Sequence, residues 1–292
     1  MCELMCMSFA KPIAASVSIH AFGLRSVENA DGWGLAWYPD RSLAMIKQPV
    51  RWTETHSEFL DHYPGLLAPI YIAHVRHKTS GGAPTRADTH PFSREYDGRE
   101  YCLAHNGTLK GDFWKEPLGR FRSIGTTDSE NLFCLLLREL DNLSSQFSKN
   151  SVSTPTGEPL LDSEAKWQAV HEFLLKMNRY GTLNCIFSDG ERVAIYHDLT
   201  SWKGLAYRHI YLTQDSQRLF CDSTVAVDIK AQPVNFGVIV ATNPLSAEGW
   251  EKFHPGELKI LHQGKIEFEF NVPSSPRAAI DETSKKKRLQ VS

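Results

Sequence analysis

Apolar positions along the chain come mostly in short runs between turn residues, which is the pattern of strands. Pro12–Ile19 is one such run and Leu35–Tyr38 another, closed by Pro39-Asp40. Ile70–Val75 is a third, followed by an irregular stretch from Lys78 to Phe92 rich in Gly, Pro, Thr and Asp. Glu100–Ala104, Thr182–Ser188, Arg192–His197, Phe236–Thr242 and Leu258–His262 continue the series. Glu54–Tyr63 has helical spacing, and Asp128-Ser129-Glu130 starts an apolar helix over Asn131–Leu140. Glu164–Arg179 is helical too, with Trp167, Val170, Phe173, Leu174 and Met177 on one core-facing stripe. Leu143–Asp162 is polar, with Pro155, Gly157 and Pro159, and predicts a surface insertion rather than a domain boundary. Two helical stretches among roughly nine strands predict an α+β protein with helices packed on antiparallel sheets.

Composition narrows the function. The 292 residues, 41% hydrophobic and 23% charged, are those of an ordinary globular chain able to bury a substantial core. A formal net charge of -2 gives no field to attract nucleic acid or an anionic membrane. The one dense basic run, Lys285–Arg288, falls in a polar stretch after Pro276, and 273–292 is expected to be a disordered tail. No apolar run approaches the ~18 residues of a membrane span, and the N-terminus lacks a secretory pattern; the expected location is the cytoplasm. Six scattered cysteines without Cys-x-x-Cys spacing are then free thiols. Cys102, Cys134 and Cys185, inside apolar patterns, are expected to be buried and inert.

Three polar clusters at strand ends carry candidate chemistry. Cys2 follows the initiator Met1. Removal of Met1 leaves its thiol (reference pKa ~8.5) beside its own α-amine (~7.7–8.0), which can act as its base near neutral pH. Ala73-His74-Val75-Arg76-His77-Lys78-Thr79-Ser80-Gly81-Gly82 offers an Arg fork suited to a carboxylate and a Gly pair that lets backbone approach closely. Leu103-Ala104-His105-Asn106-Gly107-Thr108-Leu109 offers a side-chain amide beside a backbone N–H, a donor pair fit for an oxyanion. The bland readings are a chance Met-Cys start, a surface Arg, a hairpin turn at Asn-Gly, and a helix cap at Asp128.

Taken in order, Cys2, His74-x-Arg76-x-x-Thr79-x-Gly81, His90-Pro91-Phe92, His105-Asn106-Gly107 and Thr127-Asp128-Ser129-Glu130 resemble the class II glutamine amidotransferase domain, an N-terminal-nucleophile hydrolase. Asp31-Gly32-Trp33-Gly34, Leu183–Gly190 and Ala241–Ser246 resemble its small stand-alone branch, and the likeness covers most of the chain, about 1–272. The resemblance implies a four-layer αββα sandwich of two antiparallel sheets. It implies Cys2 as nucleophile, Asn106 and Gly107 as oxyanion hole, Arg76 with Thr79 on the substrate α-carboxylate, and Asp128 on its α-ammonium. The implied reaction is cleavage of the γ-amide of glutamine or a γ-glutamyl compound through a γ-glutamyl thioester, with no cofactor and no metal.

Other readings differ in class. No Gly-x-x-x-x-Gly-Lys loop or dinucleotide fingerprint is present, so the chain carries no acceptor chemistry of its own. A glutaminase subunit feeding ammonia to a separate synthase, or pairing with a peptidase subunit, is one alternative. A γ-glutamyl-binding protein without chemistry is another. A metal site from Cys2, Cys6, His74, His77, His90 and His105 fits no common zinc spacing. Trp33 suits a pocket wall and the core equally.

Overall fold

The computed structural model describes residues 2–18, 31–50, 67–75, 85–147, 159–213, 217–221, 226–230 and 234–272. The helix expected over 54–63, the loop start at 78–84 and the tail 273–292 lie outside them. The strands are β1 (Glu3–Ser18), β2 (Trp33–Tyr38), β3 (Ala44–Gln48), β4 (Leu67–Val75), β5 (Phe92–Tyr96), β6 (Arg99–Leu109), β7 (Gly181–Ser188) and β8 (Arg192–Tyr196). They continue with β9 (Ala206–Leu212), β10 (Gln217–Cys221), β11 (Ala226–Lys230), β12 (Asn235–Ala241), β13 (Glu251–Lys252), β14 (Leu258–His262) and β15 (Lys265–Phe270). Two α-helices, α1 (Asp128–Phe147) and α2 (Glu164–Asn178), follow β6, after a 3₁₀ turn at Gly111–Lys115.

The strands form two antiparallel sheets. Sheet A has the order β13-β9-β12-β1-β4-β2-β3, with the β10–β11 hairpin joined to β1, and sheet B has the order β15-β14-β8-β7-β6-β5. Between them lies an apolar layer of Leu4, Cys6, Ala36, Tyr38, Ile70 and Ile72 from sheet A against Cys102, Ala104, Ile186, Val193, Ile195 and Leu261 from sheet B. The opposite face of sheet B packs on both helices through Leu103, Leu183, Phe187, Leu132, Leu136 and Trp167. Truncating a fully buried aromatic such as Trp167 to Ala would cost ~3–5 kcal/mol. On the other face of sheet A, Met5, Met7, Phe9, Leu35, Trp37 and Tyr71 form a third cluster.

The central strand shows why the start of the chain reads as broken runs. β1 is apolar on both faces, with Leu4 and Cys6 turned to sheet B and Met5, Met7 and Phe9 to the outer cluster. A strand buried on both sides has no alternation to detect. The expected insertion over 143–162 needs correction at both ends. α1 continues to Phe147 with Leu143 buried, and Leu161 is fully buried ahead of α2. A polar sequence conceals these ends because single apolar residues, Leu143 three on from Leu140 and Leu161 just before the second helix, carry the packing. Among the described residues, no helix is long and apolar enough to cross a membrane.

Candidate active site

Cys2 is half-buried and directly precedes β1. The strand it leads into is held on both sides: Glu3 pairs with Val75 of β4, and Leu4 exchanges bonds with Thr242 (Leu4 N to Thr242 Oγ1, 2.9 Å; Thr242 N to Leu4 O, 3.0 Å). Alternation along the strand puts Cys2 on the same side as Leu4 and Cys6, towards sheet B. On sheet B the same logic turns Asn106 inward with Cys102 and Ala104. The two meet: Asn106 Nδ2 donates to the Cys2 carbonyl at 2.9 Å, and Asn106 is buried. A primary amide has two N–H donors, so one remains for another acceptor.

Gly107 can be nothing larger. A Cβ there would lie 2.1 Å from the Thr182 carbonyl and 2.5 Å from His105 Nε2. The neighbouring His105 turns to the helical side, with Nδ1 2.9 Å from Ser129 Oγ and Nε2 3.3 Å from the Thr182 carbonyl. Burial lowers its pKa, more than the Asp128 carboxylate raises it, so the ring is neutral. Nε2–H then donates to Thr182, and Nδ1 accepts the Ser129 hydroxyl proton. Asp128, at the head of α1, takes the Leu109 N–H (2.7 Å) and the Ser129 N–H (3.0 Å) on separate oxygens. It therefore clamps the end of β6 to α1, and a carboxylate with about four acceptor positions keeps capacity for a cation. Behind it Glu130 is ion-paired with Arg94 and accepts Ile124 N and Gly125 N at 3.0 and 2.6 Å.

A further part of the site was not expected from the sequence. Asn184, opposite Asn106 in the β6–β7 register, donates to Trp202 O (2.8 Å) and Lys203 O (3.4 Å), and its Oδ1 accepts Asp198 N (2.9 Å). Buried Asp198 organises the turn that follows. One oxygen takes Thr200 N, Thr200 Oγ1 and Trp202 N at 2.8, 2.6 and 3.2 Å, and the other takes Asn178 Nδ2 and Leu183 N, both at 2.8 Å. The turn closes with Lys203 at a φ of 49°, its ammonium 4.6 Å from the Trp202 ring centroid. Burial lowers the Lys203 pKa, while Cys2 and then Glu3 act electrostatically to raise it. Two signals existed in the sequence: Asn184 interrupts an apolar strand at an inward position, and Asp198-Leu199-Thr200 is a local turn motif.

The remaining candidates separate. Arg76 and Thr79 lie outside the described residues. Trp33 is buried in the outer cluster of sheet A, on the face opposite the one Leu4 shares with Cys2, and so serves the core. His74 is buried opposite Leu4 on β4 and stacks on His90 at 4.1 Å, which meets Phe92 edge-on at 4.7 Å. This chain of rings bridges the sheets, and Gly34 makes room for it: a Cβ there would lie 2.2 Å from the His90 carbonyl. Among the described residues no three His, Cys, Asp or Glu side chains are placed to hold a metal ion. Cys102 and Cys185 are buried, their thiols pushed up to about 12, and buried Cys6 is raised further. Burial also raises the Cys134 thiol.

The family model for class II glutamine amidotransferases matches residues 1–286. The chain belongs to that family. The chain is 33% identical over 268 residues to an uncharacterized protein of Methanocaldococcus jannaschii, covering 91% of the chain and 70% of the relative. It is 28% identical over 272 residues to YafJ of Escherichia coli, provisionally named a glutamine amidotransferase, covering 91% of this chain and 99% of YafJ. The crystal structure of a predicted glutamine amidotransferase from Pseudomonas aeruginosa superposes with TM-score 0.65 at 23% identity, over 91% of this chain and 99% of that chain. Glutamine phosphoribosylpyrophosphate amidotransferase from B. subtilis gives TM-score 0.56 at 16% identity, over 92% of this chain and 49% of that one. The fold is thus the N-terminal-nucleophile type, α+β with two stacked antiparallel sheets.

Proposed function

We propose that the protein hydrolyses the γ-amide of glutamine or of a γ-glutamyl compound, with Cys2 as nucleophile after removal of Met1. The observation that carries this reading is the 2.9 Å bond from Asn106 Nδ2 to the Cys2 carbonyl, which brings a two-donor amide to the nucleophilic residue. The Cys2 α-amine takes the thiol proton and Sγ attacks the γ-carbonyl carbon. The oxyanion is met by the second N–H of Asn106 and by Gly107 N–H. The C–N bond breaks as the α-ammonium protonates the departing amine, leaving a γ-glutamyl thioester. Water then attacks, its proton passes through the α-amine to sulfur, and glutamate leaves.

Asp128 would receive the substrate α-ammonium, and Arg76 with Thr79 its α-carboxylate. The test is intact-mass spectrometry before and after brief exposure to the glutamine analogue 6-diazo-5-oxo-L-norleucine. Loss of Met1 and a single adduct on Cys2 are expected. Retained Met1 with no adduct would refute the mechanism and leave a γ-glutamyl-binding protein.

A further inference from the structure

Against the first residues of β1, which follow Cys2, the molecule holds a cavity of about 490 Å³ whose lining includes none of the residues assigned above to the glutamyl half of the substrate. It is lined by His197, Ser201, Gly204, Thr242, Lys252 and Phe253, among others. Both of its walls are tied to the immediate neighbours of Cys2. On one side Thr242 exchanges hydrogen bonds with Leu4, and Asn243 Nδ2 donates to Glu3 Oε1 at 3.0 Å. On the other, the 201–204 turn hangs from Asn184, across the strand pair from Asn106, which itself bonds Cys2. Cleaving glutamine releases only ammonia, a molecule about the size of water, whose share of liquid volume is ~30 Å³. The cavity exceeds that by more than an order of magnitude and falls within the ~300–1,000 Å³ of small-molecule sites.

Its lining is also chemically specific. His197 is 3% exposed; its Nδ1 is 3.0 Å from the His254 carbonyl, while its buried Nε2 has no partner among the described residues. That nitrogen is closed to solvent, so His197 gives the cavity a ring wall rather than a hydrogen-bonding atom. At the mouth Lys252 is exposed and Ser201 offers a hydroxyl, with the Lys203 ammonium on the adjoining turn. Glu251, next to Lys252, is occupied by the Tyr207 hydroxyl at 2.7 Å.

We propose that this cavity receives the group on the nitrogen side of the scissile amide, and that the preferred substrate is a γ-glutamyl amide of a carboxylate-bearing amine, such as a γ-glutamyl amino acid, rather than glutamine. The inference rests on the amide-hydrolase reading above. Lys252, supported by Lys203, meets the carboxylate, and the His197 and Phe253 rings wall the body of the group.

The test compares kcat/KM of the full chain on glutamine, γ-glutamylalanine and the neutral γ-glutamylisopropylamide. γ-Glutamylalanine should exceed glutamine at least tenfold. Gly204→Leu, where a Cβ meets only the Thr242 carbonyl at 3.4 Å, should lower the γ-glutamylalanine-to-glutamine ratio at least tenfold. Exposed Lys252→Glu leaves folding undisturbed and should reduce the preference for γ-glutamylalanine over the isopropylamide by about fivefold or more. Turnover of glutamine as the best substrate, with ratios that neither substitution moves, would overturn the inference while leaving the hydrolase reading intact. An isopropylamide cleaved as well as γ-glutamylalanine would overturn carboxylate recognition. Absence of turnover on all three would sink the hydrolase reading itself, and this inference with it.

Discussion

Replacing Asp198 by Asn removes a charge and no volume, so it isolates what the carboxylate does for the turn beside Cys2. Each oxygen is an acceptor only, one for Thr200 N, Thr200 Oγ1 and Trp202 N, the other for Asn178 Nδ2 and Leu183 N. An Asn amide must set its NH₂ group against one of these two sets. The less costly choice faces Asn178 and Leu183 and still loses two bonds to a buried charged acceptor, each worth ~1.5–3 kcal/mol. The expected loss is therefore ~3–6 kcal/mol, or a fall in Tm of ~6–12 °C at the ~2 °C per kcal/mol of a chain this size. Burial raises the Asp198 pKa, but bonds from Thr200, Asn178 and Leu183 outweigh it and hold the carboxyl below its usual value. A depressed folded-state pKa contributes stability that is present above the unfolded value of ~4 and lost as pH falls through the folded one. The gap between wild type and Asp198→Asn should thus be full at pH 7 and close in acid. Circular dichroism melts of both proteins from pH 7 downwards check this. A variant melting within 2 °C of wild type at pH 7, or a gap independent of pH, would show that the carboxylate does not organise the turn.

Two further outcomes follow from the nucleophile end. Asn106→Ala should lower kcat for glutamine by ~10²–10³-fold with a smaller change in KM, because an oxyanion donor acts on the transition state; steady-state kinetics read this directly. Brief alkylation with iodoacetamide at neutral pH, followed by peptide mapping, should label Cys2 well before Cys6, Cys102 and Cys185, whose buried thiols are raised to about 12 or above. Labelling of Cys102 at a comparable rate would contradict the burial described for it.

Several candidate site residues were visible in the sequence, although Asn106 and Gly107, expected at a strand end, lie inside β6 and its ladder with β7. Asn106-Gly107 and Asp128 stand out as polar groups with no role in an amphipathic pattern, and the structure brings Asn106 to Cys2 and Asp128 to the end of the same strand. Trp33 could not be assigned from sequence, since a core aromatic and a pocket wall look alike until the face of the strand is known. The turn around Asp198 was missed for a different reason. Its importance lies in pairing across β6 and β7, where Asn184 falls opposite Asn106, and pairing register is not written in any one segment. The length of β1 was obscured because both of its faces are apolar. At the hidden end of α1, buried Leu143 stands among mostly polar neighbours.

The strand that begins at Glu3 has a consequence for how such a molecule can change. It is bonded to β4 and β12 near Cys2 and to β11 further along, so it is an interior member of the sheet from its first residue. Local opening there costs nearly what opening the whole sheet costs, and its amides should be among the slowest to exchange with solvent. The reacting end of the molecule is in this sense anchored, whereas part of the nitrogen-side wall, from Ser201 to Gly204 and from Thr242 to Pro244, lies in turns outside the strands. Exposed residues there, such as Ser201, can be exchanged without reopening the sheet. A new preference for what the glutamyl group is attached to is thus attainable with the bond-breaking apparatus left in place.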